Sequence, residues 1–149
     1  MTALDATTSA LVFAEITDDD VPAVVALWHE CGLTRPWNDP ALDIADARLS
    51  PTSTVLAARA PASEGGAVVA SVMAGYDGHR GWLYYVAVSP GLQGSGLGRA
   101  AVSAGEEWLR AGGARKVQLM VRTTNAQALG FYDRLGYEEQ STTVLGRWF

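Results

Sequence analysis

Gln93-Gly94-Ser95-Gly96-Leu97-Gly98 separates an apolar, aromatic run, Trp82-Leu83-Tyr84-Tyr85-Val86-Ala87-Val88, from a helical run that opens at Arg99. A strand that ends in a glycine-rich turn and feeds a helix directs several free backbone N–H groups, and the positive end of a helix dipole, at one point. Such a point binds phosphate. The small residues let a ligand approach the backbone closely.

Outward from that loop the hydrophobic period alternates between two and 3.6. Residues 99–111 read as a helix with Ala101, Val102, Trp108 and Leu109 on its buried face, stopped by Gly112-Gly113. Residues 117–122 read as a strand, and 125–135 as a helix ended by Gly136. Two short strands are expected at 137–139 and 143–148. Upstream, 54–59 and 67–76 read as strands joined by the turn-rich 61–66, and the cluster Asp77-Gly78-His79-Arg80-Gly81 joins the second to 82–88 as another hairpin. Earlier still, 12–16 is a strand. A helix carrying Val21, Val24, Val25 and Trp28 follows it, with Pro22 in the first turn favouring Asp19 as N-cap. Asp39-Pro40 then opens a second helix to Leu49. Residues 1–10, small and polar, read as a frayed tail. The order β-α-α-β-β-β-α-β-α-β-β predicts one α/β domain over residues 1–149, a mixed, mostly antiparallel twisted sheet flanked by helices.

The chain has 149 residues, 48% hydrophobic and 18% charged, which is ordinary globular composition. No run approaches the roughly 20 apolar residues of a membrane span, and the N-terminus lacks a signal-peptide pattern, so a cytoplasmic protein with no membrane partner is expected. A single cysteine, Cys31, rules out an internal disulfide and a cysteine-rich metal site, and two distant histidines argue against zinc. Net charge is −5. With no Lys/Arg run to offset it, nucleic acid is a poor partner.

A P-loop would need Gly-Lys-Ser/Thr, which is absent. A dinucleotide fingerprint belongs to an all-parallel sheet, with an acidic residue about 20 positions on. Here hairpins precede the loop and the next strand ends in Arg122. The pattern Gln93-x-x-Gly96-x-Gly98 after Tyr85-Val86-Ala87-Val88 instead resembles the acyl-CoA pyrophosphate loop of the GNAT (GCN5-related N-acetyltransferase) superfamily. Asn125 followed by Phe131-Tyr132-Asp133-Arg134-Leu135-Gly136-Tyr137 is similar to that superfamily's later segment. The stretches from Cys31 to Pro40 and from Ser71 to Trp82 resemble those of the YpeA-like bacterial acetyltransferases.

The resemblance implies an acetyl-CoA-dependent N-acetyltransferase that passes acetyl directly to a primary amine of a small molecule or a protein. Gln93, Gly94, Ser95, Gly96, Leu97 and Gly98, with Arg99 adding a charge, would hold the pyrophosphate. Val86 and Val88, on a strand that splays from its neighbour at a bulge, would pair with pantetheine, and the Val86 N–H would polarise the thioester oxygen. Asn125 would contact pantetheine. Tyr132 would act as general acid toward the departing thiolate, since a phenol of pKa near 10 can donate as that charge develops. Trp37, Asn38 and Asp39, joining the first two helices, would line the acceptor side. Tyr84 and Tyr85 alternate faces along a strand, so one is core and the other, taken here as Tyr84, faces the acceptor cleft. Glu30, Asp39, Asp77 and His79 are candidate bases, beside deprotonation through water. Cys31 fits a buried hydrophobe better than a nucleophile.

Two other readings stay open: a non-catalytic acyl-CoA-binding or regulatory module on the same fold, and a protein N-terminal acetyltransferase like the ribosomal-protein enzymes. The apolar C-terminal residues 143–149 can pack on their own sheet or on a second copy as a homodimer.

Overall fold

The computed structural model describes residues 11–149, and the expected tail over 1–10 lies outside them. A five-stranded sheet in the order β1-β2-β3-β4-β5 is formed by β1 (Ala14–Glu15), β2 (Ser53–Arg59), β3 (Val68–Tyr76), β4 (Gly81–Val88) and β5 (Val117–Leu119). The first four strands run antiparallel to their neighbours, and β5 runs parallel to β4. This is the mixed, mostly antiparallel sheet expected from the element order. The β3–β4 turn is fastened by Asp77, whose Oδ1 accepts from the N–H groups of His79 (2.8 Å) and Arg80 (2.7 Å).

Four helices cover the two faces: α1 (Val21–Glu30), α2 (Pro40–Leu49), α3 (Leu97–Ala111) and α4 (Ala126–Arg134). On one face, Val24, Leu27 and Trp28 of α1 and Ile44 and Ala47 of α2 pack against Val55, Met73 and Ala87. On the other, Ala101, Val102 and Leu109 of α3 meet Leu56, Val72, Ala74 and Leu83, with Phe131 and Tyr132 of α4 alongside. Each fully buried large side chain contributes about 1.5–3 kcal/mol. Gly105 sets how closely α3 sits, because a Cβ there would lie 2.6 Å from Leu83 Cδ2 and 3.1 Å from Val72 Cγ2.

The second helix is capped as expected: Asp39 Oδ1 accepts from Ala41 N (3.0 Å) and Leu42 N (3.2 Å) before Pro40 opens the turn. The first helix differs. Its entry is a 3₁₀ turn, Asp18–Asp20, behind Thr17, whose N–H donates to Asp20 Oδ2 at 2.8 Å. Three successive aspartates tighten the entry one residue before the proline, so Asp19 is not the cap. β5 is also shorter than residues 117–122, and the strands expected at 137–139 and 143–148 do not form. Strand propensity acts only where a neighbouring edge offers a ladder, and the chain leaves the sheet after Leu119. Val144, Leu145, Trp148 and Phe149 are exposed.

Candidate active site

Cross-strand pairing locates a defect in β4. Ala74, Met73, Ser71 and Ala70 face Leu83, Tyr84, Ala87 and Val88, so Tyr85 and Val86 together oppose the single residue Val72. The extra residue is a β-bulge, with Tyr85 at φ +51°. Glycine is the usual occupant of such a left-handed position, and a residue with a Cβ costs about 1–2 kcal/mol there. Three contacts offset that cost. The Tyr85 ring stacks on buried Trp28 with centroids 3.7 Å apart and planes 3° from parallel. Its carbonyl accepts from Ser71 Oγ (3.0 Å), which itself accepts from Trp28 Nε1 (2.8 Å). Its hydroxyl donates to Asp43 Oδ2 at 2.6 Å. A stack of about 0.5–1.5 kcal/mol and hydrogen bonds of about 0.5–1.5 kcal/mol each exceed the backbone cost. Burial, then the Asp43 carboxylate, pushes the Tyr85 phenol well above its ordinary pKa.

The bulge corrects the expectation that Tyr84 and Tyr85 alternate. Tyr84 pairs with Met73, on the face packed by α1 and α2, and Tyr85 stacks on Trp28 of the same face. Two successive residues therefore share one side, and the strand resumes alternation one step out of phase. β5 pairs with β4 only over Gly81, Trp82 and Leu83. Beyond that point the two parallel strands diverge, and the β4 edge that faced β5 is open from Tyr84 onward.

β4 leads through a 3₁₀ turn, Pro90–Leu92, into the glycine loop. Gly94 (φ +83°) and Gly96 (φ +89°) hold left-handed conformations with nothing within 4 Å of a notional Cβ, so the loop is an open cradle. At Gly98 the limit is proximity: a Cβ would meet Phe131 Cζ at 3.2 Å. The Ser95 N–H is used within the loop, donating to Leu92 O at 3.3 Å, and among the described residues the N–H groups of Gly94, Gly96 and Gly98 have no such acceptor. Leu97 is fully buried, so it anchors the loop by its side chain and offers only backbone outward. Arg99 is exposed on the first turn of α3. The Val88 carbonyl accepts from Cys31 Sγ (3.2 Å) and from Gln93 Nε2 (3.3 Å). Both its lone pairs are thereby engaged in fixing the loop. Cys31 packs with the first core cluster, and burial raises its thiol pKa.

A cleft of about 810 Å³ opens where β4 and β5 part. Its floor is β3 and β4, including Met73, Tyr84, Tyr85 and Val86; one wall is β5 and α4, with Asn125 and Tyr132; the other carries Asn38, Asp43 and Asp46. Asn125 caps α4 by accepting from Ala128 N at 3.1 Å. Tyr132 packs edge-on against Phe131 and Tyr137, and burial pushes its pKa up to about 12. No hydrogen bond among the described residues uses its hydroxyl.

Of the residues singled out from sequence, Val86, Tyr84, Asn38, Asn125 and Tyr132 meet in this cleft. Trp37 is 57% exposed and Asp39 is committed to its cap, and neither lines it. Glu30, Asp77 and His79 also lie outside. The carboxylates that do line it, Asp43 and Asp46, were not among those singled out. One signal could have found them: both follow the Asp39-Pro40 cap at a spacing of three, which puts them on one face of α2. Among the described residues no group of three His, Cys, Asp or Glu side chains could hold a metal ion, and no helix is long and apolar enough to cross a membrane.

A strand opened at a bulge, a phenol in the cleft beside it and an amide cradle at the following helix start lie along one strand, and comparison with known proteins gives the family. The model of the Acetyltransferase (GNAT) family matches residues 12–137. The chain is 43% identical over 129 residues to an acetyltransferase of Yersinia pestis (strain Pestoides F), covering 87% of this chain and 89% of that one. An acetyltransferase of Pectobacterium atrosepticum is equally similar, with 43% identity over 129 residues and the same coverage of 87% and 89%. Among solved structures, the fold is similar to aminoglycoside N-acetyltransferase AAC(6')-Iy in complex with CoA (TM-score 0.77, 15% identity, 93% and 94% of the two chains). It is also similar to the ribosomal-protein-S18-alanine N-acetyltransferase from Escherichia coli (TM-score 0.72, 23% identity, 88% and 79%). The chain belongs to the GNAT acetyltransferase family and is an N-acetyltransferase.

Proposed function

We propose that the protein transfers acetyl from acetyl-CoA directly to a primary amine. The observation that carries this reading is the convergence, in one cleft, of the open β4 edge at Val86 and the unclaimed Tyr132 hydroxyl, with the amide cradle 93–98 at the end of the same strand. The cosubstrate supplies an activated thioester. The N–H groups of Gly94, Gly96 and Gly98, with the α3 dipole and Arg99, take the pyrophosphate, while Gln93, Ser95, Leu97 and Val88 keep the loop in shape. Asn125 contacts the pantetheine arm.

At the reacting centre, the Val86 N–H donates to the thioester oxygen as it gains charge, and Tyr132 donates to the departing sulfur. The amine enters from the wall formed by Asn38, Asp43 and Asp46, past Tyr84. Direct attack requires no acyl-enzyme, which agrees with a Cys31 thiol held against the Val88 carbonyl. The test is thiol release from acetyl-CoA across a panel of small amines and peptides, with CoA binding followed by calorimetry. Amine-dependent release is expected. A protein that binds CoA yet turns over no acceptor is a binding module and refutes the proposal.

A further inference from the structure

We propose that Tyr85 is a positioning residue that couples the donor and acceptor sides of the cleft, an inference that rests on the acyl-transfer reading above. It acts through two neighbours. The peptide joining Tyr85 to Val86 is planar and trans, so its C=O and N–H point in opposite directions. Ser71 Oγ holds that C=O at 3.0 Å from the β3 side. The Val86 N–H is thereby turned away from β3, toward the edge that β5 has vacated. Ser71 is itself fixed by the buried Trp28 indole, and Trp28 supports the Tyr85 ring face to face. Trp28, Ser71 and Tyr85 thus form a mount that keeps a residue with a Cβ in the left-handed conformation on which the direction of the Val86 N–H depends.

The second neighbour is Asp43. The Tyr85 hydroxyl fixes Oδ2, and no ion pair among the described residues engages this carboxylate. Oδ1 accepts no hydrogen bond among the described residues. The carboxylate lines the same cleft as Asn125 and Tyr132. With Oδ2 tethered and Oδ1 left free, the carboxylate orients the incoming acceptor amine by hydrogen bonding and charge. One ring therefore sets both the amide that receives the developing oxyanion and the carboxylate that meets the amine.

The two functions separate by substitution. Tyr85→Phe keeps the stack and the bulge and removes only the tether to Asp43; the amine KM is expected to rise about tenfold, with kcat and the acetyl-CoA KM within about twofold of the parent. Tyr85→Leu removes the stack as well, leaving the left-handed backbone unsupported; kcat is expected to fall at least about 30-fold, and Phe at this position to restore it. A merely structural role would lower thermal stability in both variants without this split. A crystal structure of Tyr85→Leu supplies a readout independent of turnover: residue 85 returns to negative φ and β4 pairs regularly with β3. If residue 85 keeps its positive φ in that variant, or if Tyr85→Phe loses kcat as fully as Tyr85→Leu, the proposal is overturned. Absence of turnover in the parent would refute the acyl-transfer reading, while the backbone of Tyr85→Leu would still decide whether the mount holds the bulge.

Discussion

Replacing Tyr132 by Phe deletes one oxygen from a ring that packing already holds, since Phe131 and Tyr137 meet it edge-on at centroid distances of 4.9 and 5.7 Å. The hydroxyl has no partner among the described residues, so its removal leaves no protein group unsatisfied and the fold should keep its stability. The effect on catalysis follows from the pKa of about 12 that burial imposes. A thiol near 8.5 lies roughly 3.5 units lower, so complete proton transfer from Tyr132 to a free thiolate is uphill by about 5 kcal/mol. In the proposed mechanism Tyr132 therefore acts as a hydrogen-bond donor to developing charge. A hydrogen bond to a charged group is worth about 1.5–3 kcal/mol, which corresponds to a kcat lower by roughly 10- to 150-fold. Continuous thiol detection at saturating acetyl-CoA and amine measures it, with the acetyl-CoA KM little changed because the bond strengthens only in the transition state. The pH profile gives a second check: the phenol stays protonated until well above pH 10, so parent and variant should share one profile shape up to about pH 11. A kcat within twofold of the parent, or a loss beyond about a thousandfold, would refute a donor of this strength.

Gly105→Ala should destabilise the packing of α3 on the sheet. Its Cβ would sit 2.6 Å from Leu83 Cδ2, between α3 and the sheet, and such overpacking costs about 1–3 kcal/mol, a Tm lower by roughly 3–10 °C in calorimetry. Stability should also fall in acid through Asp20. The Thr17 N–H, then the Arg59 guanidinium, hold its carboxyl below the ordinary value of 3.8. A depressed folded-state pKa contributes stability that is present above the unfolded value and lost as pH falls through the folded one. Urea denaturation of Asp20→Asn should show a midpoint below the parent's at pH 6 and a gap that narrows as pH falls below 3.8.

The glycine loop and the Asn125 cap were legible because their signals are local. Gly94, Gly96 and Gly98 are required by backbone angles and one close approach within a single turn, and Asn125 caps its helix from three residues away. Asp39-Pro40 fixed the start of α2 in the same way. Local signals fail where the outcome depends on a distant edge. Residues 143–148 have the β-branched pattern of a strand, yet propensity cannot supply a ladder, and the sheet ends at a three-residue β5.

The bulge in β4 shows the more general limit. Leu83-Tyr84-Tyr85-Val86-Ala87 reads as uninterrupted strand, with aromatic and β-branched residues and no glycine to mark a defect. What admits the bulge is a partner 57 positions upstream in Trp28, a hydroxyl at Ser71 and a carboxylate at Asp43, none of them adjacent in the chain. One inserted residue then reverses the phase of everything after it: Leu83 packs beneath α3, whereas Ala87, an even number of residues later, packs beneath α1 and α2. Strict alternation would have put both on one face. The same reversal brings Tyr84 and Tyr85 to one side, where Asp43 becomes a neighbour. The cleft wall that carries Asp43 is therefore a product of long-range packing around a strained residue, and it could not be located before the register of β3 on β4 was known.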